Sequence, residues 1–259
     1  MMYTLEICCY SLESCLAAEE GGAHRIELCG GMYEGGTTPS AGTISLVKEA
    51  VNLPVQVMIR PRGGDFLYSD WEMKQMIRDV QMARELGADG VVFGMLKADG
   101  SLDAERMSQL AEEARGMEIT LHRAFDMCRD PEQAIEHAKS LGFNRILTSG
   151  LKNTAWEGRE NLKKLALSAG STMPLMAGSG INHENIEKLA SVEGLFQFHM
   201  SGMVSRPSGM GYQNPDISMG KKGEVSEYEV FYSDIVKIKK ASSVLLDLEK
   251  KSEIKEKDC

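Results

Sequence analysis

Short runs of β-branched and apolar residues alternate along this chain with longer stretches of helical periodicity. Strands are predicted near Leu5–Tyr10, Arg25–Cys29, Pro54–Arg60, Gly90–Gly94, Glu118–Arg123, Arg145–Ser149, Pro174–Ala177 and Phe196–Met200. Helical patterns fill the gaps, and a last one runs from about Tyr228 to Leu248. The spacing of roughly 20 to 35 residues is that of one βα unit. Eight such units predict an α/β fold: a single-domain (β/α)8 TIM barrel over 1–248. An open doubly wound sheet is the alternative, and it usually needs fewer strands.

Local punctuation agrees. Glycines at Gly21-Gly22, Gly87 and Gly142 each close a helix just before a strand, where a left-handed C-cap is needed. Ser69 with Glu72 reads as a capping box, and Asp130-Pro131 as N-cap and first helical residue. The stretch 205–223, rich in Gly, Ser, Pro and Met, is expected to be a long loop after strand eight. The charged stretch 249–259 is expected to be a flexible tail.

Side chains alternate between the two faces of a strand. Leu5, Ile7, Ile26, Leu28, Val55, Val57, Ile59, Ile119 and Leu121 form an apolar set that must face the helices. The other face then points into the barrel with Glu6, Cys8, Arg25, Glu27, Cys29, Gln56, Met58, Arg60, Thr120, His122, Gln197 and His199. Barrel interiors are ordinarily filled with branched apolar residues. So many inward polar groups must pair with one another or bind something. An internal network such as Glu6–Arg25 or Glu27–Arg60 answers part of that demand. The rest converges at the strand C-termini, where barrels place their chemistry.

Composition narrows the partners. The 259 residues carry 29 Lys+Arg against 38 Asp+Glu, a net charge of −9, which repels nucleic acid and anionic lipid. No apolar run reaches the roughly 18 residues of a membrane helix, and the start Met1-Met2-Tyr3-Thr4-Leu5-Glu6 has no signal-peptide pattern. Six cysteines without a Cys-x-x-Cys pair fit free thiols in a reducing cytoplasm.

Several constellations carry candidate chemistry. Cys8 and Cys29 lie at matching heights on neighbouring strands, about 5 Å apart. Two inward thiols there suit a soft ion such as copper(I), with Met58 or His122 nearby; two small buried hydrophobes would look the same. Arg60-Pro61-Arg62-Gly63-Gly64 is a donor-rich loop for an anion, unless the arginines pair with Glu27 and Asp65. His122 suits acid–base work or metal ligation, with Asp126 to orient it. Gly178-Ser179-Gly180 and Ser201-Gly202 sit where barrels bind phosphate on backbone N–H groups and a short helix N-terminus. No role is assigned to His199.

Long motifs resemble those of the CutC family. They are Leu5-Glu6-Ile7-Cys8, Gly21-Gly22-Ala23 through Arg25-Ile26-Glu27-Leu28-Cys29, and Glu34-Gly35-Gly36-Thr37-Thr38-Pro39-Ser40. They continue with Val57-Met58-Ile59-Arg60-Pro61-Arg62-Gly63-Gly64-Asp65-Phe66, His122-Arg123-Ala124-Phe125-Asp126 and Leu147-Thr148-Ser149-Gly150. Ser179 departs from the family's pattern, which has Gly there. The resemblance implies a cytoplasmic (β/α)8 barrel, a homodimer, and a role in copper homeostasis with Cu(I) ligands on Cys8 and Cys29. It settles no enzyme activity. The alternative from the residues is an enzyme for a small anionic or phosphorylated substrate. In it Arg60, Arg62, Gly178, Ser179, Gly180, Ser201 and Gly202 bind the anion, and the catalytic candidates are Glu27, Arg60, His122 and Asp126.

Overall fold

Eight parallel strands close on themselves in the computed structural model, which describes residues 2–217, 219 and 226–257. The strands are β1 (Thr4–Cys9), β2 (Arg25–Leu28), β3 (Val55–Met58), β4 (Gly90–Phe93), β5 (Glu118–Leu121), β6 (Arg145–Thr148), β7 (Leu175–Ala177) and β8 (Leu195–Met200). They pair in sequence order, and β8 pairs with β1 to close the barrel. Helices α1 (Leu12–Glu20), α2 (Ala41–Ala50), α3 (Asp70–Glu85) and α4 (Ala104–Glu113) follow the first four strands. The others are α5 (Pro131–Ser140), α6 (Arg159–Ala169), α7 (Ile186–Ala190) and α8 (Ile235–Lys257). Among the described residues no helix is long and apolar enough to cross a membrane.

The caps form as the sequence suggests. Ser69 and Glu72 make a reciprocal capping box at α3. The Asp130 side chain accepts from the Gln133 N–H, with Pro131 in the first turn of α5. Gly87 and Gly142, just past α3 and α5, have φ of +81° and +76°, a conformation that costs any other residue about 1–2 kcal/mol.

Strand alternation divides the interior in two. Leu5, Ile7, Ile26, Leu28, Val57, Ile59, Val91, Phe93, Ile119 and Leu121 join one large core between barrel and helices. Each large aliphatic buried there stabilises the fold by roughly 1.5–3 kcal/mol. Cys8, Cys29, Met58 and Val92 form a separate small cluster inside the barrel.

The region after β8 differs from the expectation. Instead of a loop from residue 205, Met203–Pro207 forms β9, paired antiparallel with β10 (Glu229–Ser233). Positions 218 and 220–223 of the expected loop lie outside the described residues. The last helix was expected from Tyr228, but Glu229-Val230-Phe231-Tyr232-Ser233 is β-branched and aromatic, and it finds β9 as a partner. The helix begins after Asp234, whose carboxylate accepts from the Val236 and Lys237 N–H groups. It then continues to Lys257, across most of the stretch read as a tail. The edge of Phe231 packs on Tyr33, centroids 6.1 Å apart, so the hairpin adjoins the loop after β2.

Candidate functional site at the barrel mouth

The strand register fixes the inward set. Glu6 pairs with Arg25 and with His199 across β1's two neighbours, and Cys8 pairs with Glu27. Deep in the barrel the polar groups neutralise one another. Glu6 Oε2 accepts from Arg25 Nε, and Arg25 also reaches Gln197 Oε1 at 3.2 Å. On the far side Arg145 donates to Glu118 at 2.6 Å and to Thr120 at 3.0 Å. The Glu6–Arg25 pair is the network foreseen from alternation. The Glu27–Arg60 pair does not form.

Glu27 turns instead to the thiols and to His199. Its Oε2 lies 3.5 Å from Cys29 Sγ and 3.7 Å from His199 Nε2. Cys8 Sγ and Cys29 Sγ are 3.9 Å apart, and both are buried. Ligand atoms of Cys8, Glu27 and His199 all lie within 4.8 Å of one another, a spacing that would hold a metal ion. His199 is thus a member of this cluster. Its only signals in the sequence were inward parity and its height on β8.

The electrostatics follow from burial and contact. Burial alone would raise the Glu6 carboxyl, but Arg25 and the His199 imidazole override it and hold it at about 2. Burial would discharge His199, yet Glu27, Cys8 and Glu6 around it hold its pKa well above 6.5. The two thiols share a hydrogen bond. That contact, together with His199, draws Cys8 well below the usual thiol range. The same contact, burial and the charges of Cys8 and Glu27 drive Cys29 well above it. Burial pushes Glu27 up. The shared contact thus favours loss of a proton from Cys8 and its retention on Cys29, and the groups around His199 favour the charged imidazole.

Across the mouth stand Arg60 and His122, both buried. Arg60 donates to the backbone carbonyls of Glu34, Gly36 and Gly64, and its guanidinium lies 4.9 Å over the Phe66 ring. The His122 ring packs on the other partner of that contact, 4.8 Å from Phe66 by centroids. His122 Nδ1 accepts from the Ala124 N–H, which leaves the proton of a neutral ring on Nε2. Burial and the charge of Arg60 press its pKa down to about 3. Together with Cys8, Tyr10, Met58 and Leu147 these residues line a cavity of about 130 Å³. A neighbouring cleft of about 260 Å³ shares Cys8, Tyr10, Arg123, Leu147 and His199.

Three expected site residues fall elsewhere. Asp126 does not orient His122. Its carboxylate accepts from Arg123, Thr148, Ser149 and the Leu151 N–H, so it fastens the β6 loop. Arg62 is spent on Glu72, Asp65 and the Leu67 carbonyl, and it lines neither cavity. Gly202 turns toward Ile238, where a Cβ would come within 3.2 Å of that side chain.

The phosphate cradle is only partly assembled. Ser179, Gly180 and Ser201 do line the 260 Å³ cleft, and Gly178 is held against Leu147, where a Cβ would sit 2.5 Å from its Cδ1. But Ser179, with φ of +74°, donates its hydroxyl to the Asn153 carbonyl at 2.7 Å. The chain after Gly202 enters β9 instead of a short helix.

The profile of the CutC family matches residues 3–204. A family protein CutC of Bacteroides fragilis is 49% identical over 238 residues, covering 92% of this chain and 95% of its own. A copper homeostasis protein cutC homolog of Mus musculus is 44% identical over 246 residues, covering 95% and 90%. The solved structure of a CutC protein from Streptococcus agalactiae superposes with a TM-score of 0.74 at 33% identity, covering 77% of this chain and 99% of that one.

Proposed function

The chain belongs to the CutC family, and on that premise we propose that it is a copper homeostasis protein that holds Cu(I) between Cys8 and Cys29. The observation that carries this reading is the buried pair of sulfurs 3.9 Å apart. If each sulfur lies about 2.3 Å from a metal ion, as thiolates do on zinc, that separation closes the S–metal–S angle to about 115°. Such a bent pair leaves room for a third donor. The Met58 thioether is at hand in the same small cluster as the two thiols. Two thiolates with apolar Met58 and Val92 around them make a soft site, the kind that selects Cu(I) over harder ions.

The charge balance supports the same assignment. One monovalent ion with two thiolates leaves a single negative charge, and the His199 imidazolium stands beside it. Cys8 lines both the cavity and the neighbouring cleft, so an ion or a carrier's thiol has a route to it from the mouth. The reading includes a cytoplasmic setting, where thiols stay reduced, and a homodimer, which light scattering on the purified protein would test.

The deciding experiment is an anaerobic Cu(I) competition titration against a calibrated chelator. Wild type should bind one ion tightly. Cys8→Ser and Cys29→Ser should each lose more than the roughly 10- to 100-fold that loss of an outer partner costs a metal site. Equal affinity in all three proteins would overturn the proposal.

A further inference from the structure

We propose a second ligand site at the same mouth: the cavity of about 130 Å³ binds a small carboxylate through Arg60 and His122. This goes beyond copper, because neither residue is needed to hold an ion on the thiols. Two buried donors and one acceptor on the cavity wall have no partner among the described residues. They are Arg60 Nε, His122 Nε2 and Glu27 Oε1. A buried polar atom left unpaired is costly, so three around one small cavity mark a site built for a guest.

Arg60 sets the sign of that guest. Its hydrogen bonds run to backbone carbonyls, and among the described residues no carboxylate forms an ion pair with it. Glu6 is engaged with Arg25 and His199, Glu72 with Arg62, and Glu27 turns its Oε2 to Cys29 and His199. A buried guanidinium answered only by dipoles is matched by a bound anion. His122 adds a neutral N–H donor, since its Nδ1 is taken by the Ala124 N–H. Phe66 packs against both side chains and holds them to one side of the cavity.

The size and charge of the site select within anions. A volume of about 130 Å³ is some four times the ~30 Å³ share of a liquid water, room for about four to six heavy atoms. Arg123 and His199 also line the cavity, but they are paired with Asp126 and with Glu6. Among the described residues Arg60 is the lining cation without an acid, so it balances a monoanion, whereas a phosphate dianion would carry a second charge into a pocket that also holds Glu27. The unpartnered Glu27 Oε1 offers an acceptor for a hydroxyl. A two- or three-carbon hydroxy or oxo acid therefore fits better than a sugar phosphate.

The test is a thermal-shift and calorimetric series on the metal-free wild-type protein with glycolate, lactate, pyruvate, acetamide and inorganic phosphate. At least one of the three acids should raise Tm with a logarithmic dependence on concentration, and acetamide should not. Arg60→Gln should weaken the binding at least tenfold. In parallel, the ¹⁵N resonance of His122 Nε2 in the wild type should move as that acid saturates. This second readout stands if the Arg60 variant does not fold. The proposal is overturned if phosphate binds and the acids do not, if acetamide binds as well as they do, if no probe binds, or if the His122 signal stays fixed. The readings are made without copper and with both thiols unchanged, so their outcome is separate from that of the Cu(I) titration.

Discussion

Glu6 Oε1 and His199 Nδ1 meet at 2.8 Å across the seam where β8 closes on β1. The contact leaves the other edge of the imidazole toward Glu27 and Cys8. A carboxylate that fixes one ring nitrogen while the other faces a ligand cluster is the usual outer support of a metal site. Here the closure of the barrel itself supplies it, because the two residues are register partners on strands far apart in the chain.

Replacing Glu6 with Gln should therefore act twice. It leaves Arg25 and His199 buried without their countercharge, a loss of about 3–5 kcal/mol measurable as a lower urea midpoint. It should also weaken Cu(I) binding by roughly 10- to 100-fold through the freed His199 ring. An unchanged midpoint would show that the contact adds nothing to the fold.

The contribution of His122 to stability should be lost as pH falls below about 6.5. His122 titrates at about 3 in the fold against an ordinary 6.5, so between those values the unfolded chain binds the extra proton. Stability then rises with pH and is lost as pH falls, by up to about 1.4 kcal/mol per unit. Glu6, held at about 2 against 4.5, adds to the loss below pH 4.5 with the same sign. Glu27, whose carboxyl burial pushes up, contributes with the opposite sign above pH 4.5, so the His122 slope is read from urea titrations between pH 6 and 5 as the difference between wild type and His122→Gln.

Cu(I) affinity should climb with pH. Cys29 keeps its proton well above the ordinary thiol range, so the ion must displace one proton there. About a tenfold gain in apparent affinity per pH unit is expected between pH 6 and 8. A flat profile in the chelator competition would mean that Cys29 is not a ligand.

Asp126→Ala should separate structure from chemistry. The carboxylate collects two hydroxyls, two backbone N–H groups and Arg123, and charged hydrogen bonds contribute about 1.5–3 kcal/mol each. A loss of at least about 3 kcal/mol is expected by chemical denaturation. Cu(I) affinity of the folded fraction should stay within about twofold of wild type, since Asp126 lines neither cavity. A large loss of affinity with intact stability would reverse this assignment.

Period-two alternation on eight short runs was enough to place the barrel and to sort its faces. Glu6, Cys8, Arg25, Glu27, Cys29, Arg60 and His122 were legible as inward residues because a strand offers only two directions. Matching heights on adjacent strands put Cys8 beside Cys29 for the same reason. The long motifs made the CutC resemblance visible in the sequence, since the residues that shape the mouth sit in continuous stretches at strand ends.

What alternation could not give was the partner across the barrel. Whether Glu27 meets Arg60 or His199 depends on strand tilt and closure, which bring β8 next to β1 and leave β3 to its own loop. Asp126 looked like a partner for His122 because they are four residues apart. The turn after β5 carries it to the β6 loop, where the N–H groups of Ser149 and Leu151 bind it. Arg62 was lost to the carboxylates of Asp65 and Glu72 through the loop after β3. β9 and β10 share no local period with the barrel, and only their pairing over more than 20 residues makes them strands. Sequence determined the direction of each side chain, because that is set by covalent geometry along one strand. Tertiary structure alone decided which charges meet, because that is set by contacts between residues far apart in the chain.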